Sequence, residues 1–187
     1  YSEIYRNTPP TGLLEVCAQM GHRNYRQCLV FHSLSKRSNL PGLRSGFVAG
    51  DASFIAPFLK YRTYHGCSMS MAVQKASELA WSDEHHVIVN RGLYAEKFQA
   101  AADILGEQLD SHDPGAGFYL WAKTPTGCDT FSRDLYAATG VTVLPGQFLG
   151  REVDGVNPGA GFVRMALVAE PDTCREALLR IQRFMTR

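Results

Sequence analysis

Apolar residues recur along this chain with two different spacings, and the spacing predicts where helices and strands lie. Short apolar runs such as 28–31 are typical of strands covered on both faces of a sheet. Apolar residues three to five positions apart, as in 83–109 and 171–185, are typical of amphipathic helices. The other predicted elements are helices at 13–20, 52–64, 70–81 and 129–139 and strands at 43–49, 118–122, 141–144 and 162–168.

The order of these elements predicts the domain organisation. Strands and helices alternate at first, which favours an α/β domain, and a smaller α+β region follows. We place the first domain at residues 1–80, and the linking helix with the second domain at 81–187.

Composition and charge exclude several classes of partner. The chain has 187 residues, of which 45% are hydrophobic and 20% charged, as in ordinary globular proteins. Its net charge is +1, from 19 basic and 18 acidic residues, so it has no electrostatic footprint for nucleic acid or a membrane surface. No stretch approaches ~20 consecutive apolar residues. We therefore expect a cytoplasmic protein without nucleic-acid or membrane partners.

The cysteines and histidines do not form a metal-binding or disulfide pattern. The five cysteines are odd in number and scattered, without C-x-x-C spacing, which favours free thiols in a reducing compartment. The six histidines show no H-x-x-x-H spacing, and the adjacent His85 and His86 would point in different directions on a helix. We assign no metal.

A lysine set among small hydroxyl residues is the most informative feature. Lys36 follows an apolar run, with Arg44 eight positions later. A lysine that forms a Schiff base with a cofactor aldehyde needs a fixed, partly desolvated position, with donors nearby for the cofactor's phosphate. Ser33, Ser35 and Arg44 supply such donors. A basic, serine-rich loop containing Pro41-Gly42 can also be an ordinary solvated turn.

A second cation interrupts an apolar strand near the end of the chain. Arg164 lies within 161–168, and a buried strand does not tolerate an unpaired guanidinium. Arginine offers a planar fork that binds a carboxylate through two hydrogen bonds. Its partner is either the carboxylate of a bound substrate or a core Asp or Glu.

The string S-x-S-K-x-x-x-x-x-G-x-R-x-G-F at 33–47 resembles the lysine segment of fold-type I aminotransferases of class I and II, which use pyridoxal 5'-phosphate (PLP). The resemblance implies that Lys36 is the catalytic lysine, bound to PLP, and that Ser33 and Arg44 bind its phosphate. Tyr1 matches the tyrosine of an Asp-x-x-Tyr segment that contacts the phenolic oxygen of PLP. Arg164 matches the arginine that binds the substrate carboxylate.

Three shorter strings are similar to bacterial succinyldiaminopimelate aminotransferases: 31–39, 61–66 and 156–159. That resemblance implies transfer of an amino group between glutamate and N-succinyl-2-amino-6-oxopimelate, in lysine biosynthesis. Arg62 or His65 would suit the extra carboxylates of this substrate, although Arg62 could equally pair with a helix acid. The alternatives are another class I aminotransferase (aspartate, alanine or aromatic) and a non-catalytic, PLP-sensing regulatory domain.

The resemblance covers nearly all of the chain but only the C-terminal half of such an enzyme. It implies part of the large parallel-sheet domain followed by the small α+β domain. The family's glycine-rich phosphate turn, ring-stacking aromatic residue, Asn and Asp lie in the other half. We therefore expect small amino-acid and 2-oxo-acid substrates, a homodimer for the full-length protein and no transamination by these 187 residues alone.

Overall fold

The structure, a computed structural model, describes residues 3–108, 110–112 and 114–186. The chain divides into two compact units, Tyr1–Arg91 and Gly92–Arg187. Our boundary after residue 80 lies earlier than the observed division, which falls inside the long helix His85–Leu105. Each unit is described by itself below.

The first unit contains one pair of strands and several helices. Strands β1 (Leu29–Ser33) and β2 (Gly46–Gly50) are antiparallel, with Leu29 opposite Gly50 and Ser33 opposite Gly46. The helices are α1 (Leu13–Gln19), the single turn α2 (Leu34–Arg37), α3 (Ala52–Tyr64), α4 (Met71–Ser82) and the beginning of α5 (His85–Leu105). The predicted helices in this unit therefore agree with the observed ones to within two residues at the ends that lie in it.

The strand predicted at 43–49 begins three residues later than expected. Pro41–Leu43 is instead a 3-10 turn, and Arg44 follows it with a left-handed backbone (φ 51°) that a strand does not allow. The Arg44 N–H donates to the Pro41 carbonyl, which closes the turn before β2. Within the described residues of this unit the strands pair only in the antiparallel direction. The sequence does not predict this direction, because a short apolar run does not indicate whether a strand is parallel or antiparallel to its neighbour.

Polar contacts replace much of the apolar core in the first unit. Among its described residues, only four apolar side chains are buried: Ile4, Cys17, Leu34 and Val87. Arg37, Ser45, Asp51, Ser77 and Asn90 are buried as well. Because buried polar groups are costly without partners, the hydrogen bonds of these residues determine how the loops of this unit are held.

The second unit packs helices on one face of an antiparallel sheet. Its strands are β3 (Ser111–His112), β4 (Tyr119–Lys123), β5 (Leu144–Pro145) and β6 (Phe162–Ala166), in the order β3-β4-β6-β5. Helices α6 (Cys128–Thr139) and α7 (Pro171–Met185) complete it, together with the end of α5. The sequence does not predict β3, because two residues are too few to show a period. The strand predicted at 141–144 is largely wrong, since β5 shares only Leu144 with it and ends at Pro145.

The period of two along the central strands determines which side chains face the core. Leu120 and Ala122 of β4, with Val163 and Met165 of β6, are buried in the cluster that also contains Leu135 and Leu178 from the two helices. The alternate positions of the same strands face away from that core. Arg164 lies there, between Trp121 and Leu144 on the flanking strands.

Candidate functional site

Lys36 lies on a short helical turn whose neighbours are buried. Strand β1 ends at Ser33, and the Ser33 Oγ caps the turn by accepting a hydrogen bond of 3.3 Å from the Ser35 N–H. Leu34 is completely buried and Arg37 is 4% exposed, whereas Lys36 is half-buried. The lysine is therefore held at a fixed point, since residues on both sides of it are anchored in the unit.

Arg37 is the strongest of these anchors. Its guanidinium donates to the Ala80 carbonyl at 3.1 Å and to the carboxylate of Glu84, and its Nε lies 3.6 Å from Glu3 Oε1. The guanidinium carbon is also 5.2 Å from the centre of the Trp81 ring. A buried guanidinium needs such partners, so these contacts tie the turn to the end of α4 and to the first described residue of the chain.

Three further hydrogen bonds tie the loop 38–45 to the helices. Ser38 Oγ is 2.8 Å from His86 Nε2, Asn39 Nδ2 donates to Asn90 Oδ1 at 2.7 Å, and Ser77 Oγ donates to Ser45 Oγ at 2.7 Å. The partners are separated by 32 to 51 residues in the sequence. Sequence patterns gave no signal for these residues, because a hydrogen bond over such a distance leaves no local spacing.

Gly46 brings the two strands close together beside Ser33. A Cβ at Gly46 would lie 2.6 Å from the His32 carbonyl oxygen and 3.2 Å from the Ser33 Cβ. Any larger residue would therefore displace the strand that ends at Ser33. Gly46, a glycine of the string 33–47, is therefore needed for the close pairing of β2 with β1 at Ser33.

Arg44 is exposed and directly follows the 3-10 turn Pro41–Leu43 of the same loop. Its Nη1 donates to the Pro41 carbonyl at 2.7 Å. Within the described part of the chain, its other guanidinium nitrogens have no acceptor. Arg44 is thus a cation whose backbone is fixed by a tight turn and whose donors are available to an anion.

An apolar groove of about 490 Å³ lies between the β1–β2 pair and α3. The residues that line it include Phe31, Phe47, Phe58 and Arg62. The Arg62 guanidinium donates to the Cys67 carbonyl at 3.1 Å. This hydrogen bond replaces the helix acid that we considered as a partner, because no ion pair joins Arg62 to an acid of the described residues.

Arg164 has no acidic partner among residues 3–108, 110–112 and 114–186. Its guanidinium carbon lies 4.4 Å from the centre of the Tyr119 ring, and the side chain is half-buried. Of the two partners that the sequence allowed, the core Asp or Glu is thus not found in the described part of the chain. The arginine is oriented by an aromatic ring and leaves its hydrogen-bond donors for another group.

The predicted site residues fall into three groups. Ser33, Lys36 and Arg44 lie on one loop system of the first unit, and Arg164 lies in the second unit. Tyr1 lies outside the described residues. In the described ranges no helix is long and apolar enough to cross a membrane, and no three His, Cys, Asp or Glu side chains are grouped as a metal site would require.

Asp51, directly after β2, joins the segment before β1 to the start of α3 through hydrogen bonds. The carboxylate of this buried residue accepts hydrogen bonds from Ser53 Oγ at 2.7 Å, from the Gln27 N–H at 2.7 Å and from the Ser53 N–H at 2.8 Å. These bonds, that of the Ser53 hydroxyl above all, hold the pKa of Asp51 below its usual value. Because the bonds favour the ionised carboxylate, Asp51 stabilises the folded unit in a pH-dependent way.

We expect Asp51→Asn to lower the urea midpoint of the first unit at pH 7. The stabilisation by Asp51 is complete above the carboxyl's unfolded pKa of about 3.9 and is lost as pH falls through the lower folded pKa. The difference between variant and parent should therefore shrink as the medium becomes more acidic than pH 4. Unfolding would be followed by Trp81 fluorescence in a Trp121→Phe background, which leaves one tryptophan.

Glu78→Gln is the matched control for Asp51→Asn. Glu78 is 65% exposed, and its ion pair in the described part of the chain is with the exposed Lys75; surface pairs of this kind contribute little. If Asp51→Asn lowered the urea midpoint equally at pH 7 and at low pH, the stabilisation could not come from the ionised Asp51 carboxylate.

Solved structures of known proteins superpose on nearly the whole chain. An aminotransferase from Neisseria meningitidis has a solved structure that superposes with a TM-score of 0.93 and 52% identity, over 98% of this chain and 47% of its own. The aminotransferase AspB of Helicobacter pylori gives a TM-score of 0.91 with 38% identity, over 100% of this chain and 48% of its own. Residues 1–181 match the family described as aminotransferase class I and II. The chain belongs to that family.

The curated relatives that this chain matches are much longer than the chain itself. A probable aminotransferase of Mycobacterium tuberculosis is 36% identical over 82% of this chain and 35% of its own length. An LL-diaminopimelate aminotransferase of Maridesulfovibrio salexigens is 31% identical over 98% of this chain and 46% of its own. The chain thus spans between about a third and a half of these aminotransferases.

Family membership confirms two of the predictions made from the sequence. The fold is that of about half of a fold-type I aminotransferase, and members of this family use PLP. The donors on the Lys36 loop fit that cofactor: they are one amine on a fixed turn, the hydroxyls of Ser33 and Ser35, and the available guanidinium of Arg44. An aldehyde and a phosphate are the groups that such a set would bind.

Proposed function

We propose that this chain supplies the cofactor-binding lysine and the carboxylate-binding arginine of a PLP-dependent aminotransferase. The observation that carries the proposal is the half-buried position of Lys36 on a turn anchored by Leu34 and Arg37. A lysine held in this way is partly desolvated and cannot drift, which are the two properties that covalent attachment of an aldehyde requires.

Each residue has a distinct task in this proposal. PLP, when bound, supplies an aldehyde that combines with amines and a ring that accepts the electrons of the substrate Cα–H bond. Lys36 Nζ would hold the aldehyde in the resting protein, and its free amine would take the proton from the substrate Cα. Ser33 and Arg44 would donate hydrogen bonds to the phosphate, and Tyr1 would hold the phenolic oxygen. Arg164 binds the α-carboxylate and thereby orients the Cα–H bond.

For the substrate, we propose transamination between glutamate and N-succinyl-2-amino-6-oxopimelate. Relatives named LL-diaminopimelate aminotransferase, at 31% and 32% identity, support a diaminopimelate-type substrate in lysine biosynthesis. The relative OxyQ of Streptomyces rimosus is equally similar, at 32%, and its name gives an anhydrotetracycline substrate. Because two of these relatives are named for LL-diaminopimelate, that compound is the second candidate substrate. Aspartate, alanine and the aromatic amino acids are the remaining alternatives.

A chimera provides the direct test of this substrate. It would join the preceding part of the Neisseria meningitidis aminotransferase, which is 52% identical over the matched region, to this chain. We expect turnover of N-succinyl-LL-diaminopimelate with 2-oxoglutarate to exceed that of free LL-diaminopimelate by at least about tenfold, a difference of roughly 1.4 kcal/mol. Aspartate, alanine and phenylalanine serve as comparison donors.

The outcomes separate the competing functions. Preference for free LL-diaminopimelate would replace the succinylated substrate by the second candidate. PLP binding without turnover of any donor would favour the non-catalytic sensing domain.

We also propose that the full-length protein is a cytoplasmic homodimer. Several exposed apolar residues of α3, among them Leu59 and Tyr64, support a partner surface there.

A further inference from the structure

Two cysteine sulfurs lie in contact in the first unit. Cys17 Sγ on α1 donates a hydrogen bond to Cys28 Sγ, directly before β1, over 3.1 Å. Both are free thiols, as are the other three cysteines. Cys17 is 4% exposed, whereas Cys28 is half-buried and reachable from solvent. A disulfide requires a sulfur separation of about 2.05 Å, so the sulfurs would have to approach each other by roughly 1 Å.

The backbone around Cys28 is held firmly in place. The Cys28 N–H donates to the Tyr25 carbonyl at 2.9 Å, and its carbonyl accepts from the Asp51 N–H at 2.9 Å. Gly50 lies against the same carbonyl, where a Cβ would come within 2.1 Å. These contacts keep the Cys28 sulfur beside Cys17, so the pair is preorganised for a bond between them.

The remaining cysteines have no such neighbour. Cys67 is exposed, Cys128 is buried, and the Cys174 thiol donates to the Ala169 carbonyl at 3.3 Å. Throughout the ranges that the structure describes, Cys17 and Cys28 are the one pair of sulfurs within hydrogen-bonding distance of each other.

We propose that Cys17 and Cys28 form a thiol–disulfide exchange site for low-molecular-weight disulfides such as oxidised glutathione. Cys28 is the attacking thiol and Cys17 the resolving thiol. The site is independent of the PLP chemistry proposed above, since it uses neither Lys36 nor Arg164.

The exchange balances in two steps. The Cys28 thiol loses its proton to water, and its thiolate attacks one sulfur of the small disulfide, breaks the S–S bond and releases one thiolate, which takes up a proton from water. The Cys17 sulfur, after losing its proton to water, then attacks the Cys28 sulfur and releases the second small thiolate, which is protonated by water in turn. The two protein thiols are oxidised by two electrons to one disulfide, and the small disulfide is reduced to two thiols.

The order of attack follows from the surroundings of the two sulfurs. The hydrogen bond with Cys28, followed by burial, raises the pKa of the Cys17 thiol. Cys17 therefore keeps its proton at a pH where an ordinary thiol begins to lose it, which suits the resolving role. Because Cys28 is also the more exposed sulfur, an incoming disulfide meets it first.

The test is a redox titration of the full 187-residue chain with glutathione mixtures. Samples would be acid-quenched, alkylated and mapped by peptide mass spectrometry without reduction. We expect an internal Cys17–Cys28 disulfide whose equilibrium constant is at least about tenfold larger in buffer than in 8 M urea, because folding holds the sulfurs together. With Cys17→Ser we expect glutathione to accumulate on Cys28, and with Cys28→Ser we expect Cys17 to remain reduced.

Cys67→Ser is the control, since it removes the exposed thiol and should leave the internal disulfide unchanged. An equilibrium constant equal in buffer and in urea would overturn the proposal, as would glutathione on Cys67 while Cys17 and Cys28 both stay reduced. Glutathione on Cys17 in the Cys28→Ser variant would overturn the assigned order of attack.

Discussion

Replacing Lys36 with alanine should abolish the specific attachment of PLP to this chain. When the parent chain is mixed with PLP and reduced with borohydride, we expect the phosphopyridoxyl group on the peptide that contains Lys36. The reason is positional: Lys36 lies on a turn whose neighbours Leu34 and Arg37 are buried and which Ser33 caps. In the chimera, we expect the same substitution to lower kcat by about 10⁴-fold, at the upper end of what a general base contributes.

The control for this substitution is another lysine of the same unit. Lys75 is 76% exposed and pairs with Glu78 on the surface of α4. Lys75→Ala should retain the full yield of adduct on Lys36, and a urea-unfolded sample should show adducts spread over all lysines. An even spread in the folded parent would mean that the loop does not form a cofactor site in this chain. Selective labelling of a different lysine would show that this lysine, and not Lys36, binds PLP.

The period of the apolar residues was sufficient to place most elements. Helix α7 has the predicted limits because it presents a repeating apolar stripe with a clear start and end. Helix α3 also has the predicted limits, although none of its residues is buried, and it begins directly after Asp51, whose carboxylate accepts from the Ser53 N–H. Arg44 shows where this reasoning fails. Its left-handed backbone results from the turn that Pro41 initiates, and a non-glycine residue with positive φ leaves no mark in the apolar pattern.

The residues of the candidate site were predictable from the sequence, but the contacts that hold them in place were not. Lys36, Ser33 and Arg44 belong to one continuous string, so a resemblance could assign their roles. The contacts that fix this string come from Glu84 and Asn90, about 50 residues further along the chain. Such contacts depend on how α4 and α5 pack, and a local motif does not contain that information. The anchoring of the lysine is consequently the main addition made by the structure.

Arg164 is the residue for which the structure changes the balance between two interpretations. In a core strand, a guanidinium requires an anion, and no carboxylate of the described residues supplies one. The Tyr119 ring, 4.4 Å from the guanidinium carbon, orients the group without using its N–H donors. An arginine prepared in this way is suited to a ligand carboxylate, which it can bind through two parallel hydrogen bonds.

We therefore expect Arg164→Gln in the chimera to lower kcat/KM for carboxylate-bearing amino donors by about 10²-fold, since hydrogen bonds to charged groups contribute roughly 1.5–3 kcal/mol. Arg164→Lys should recover only part of this loss, because an ammonium cannot form the bidentate pair. Steady-state kinetics with an amino donor and with the corresponding amine that lacks the carboxylate would measure the effect. The reaction of the amine should be slow in the parent and unchanged in the variants.

Arg133→Gln is the matched control, since Arg133 is 70% exposed and its one ion pair among the described residues is with the neighbouring Asp134. A twofold or smaller change for Arg164→Gln would show that the carboxylate is bound elsewhere. An equal loss for the donor and for the amine would instead indicate that the substitution disturbs β6 and its packing. The ratio of the two losses thus separates binding of the carboxylate from support of the sheet, because only the first depends on the charge of the substrate.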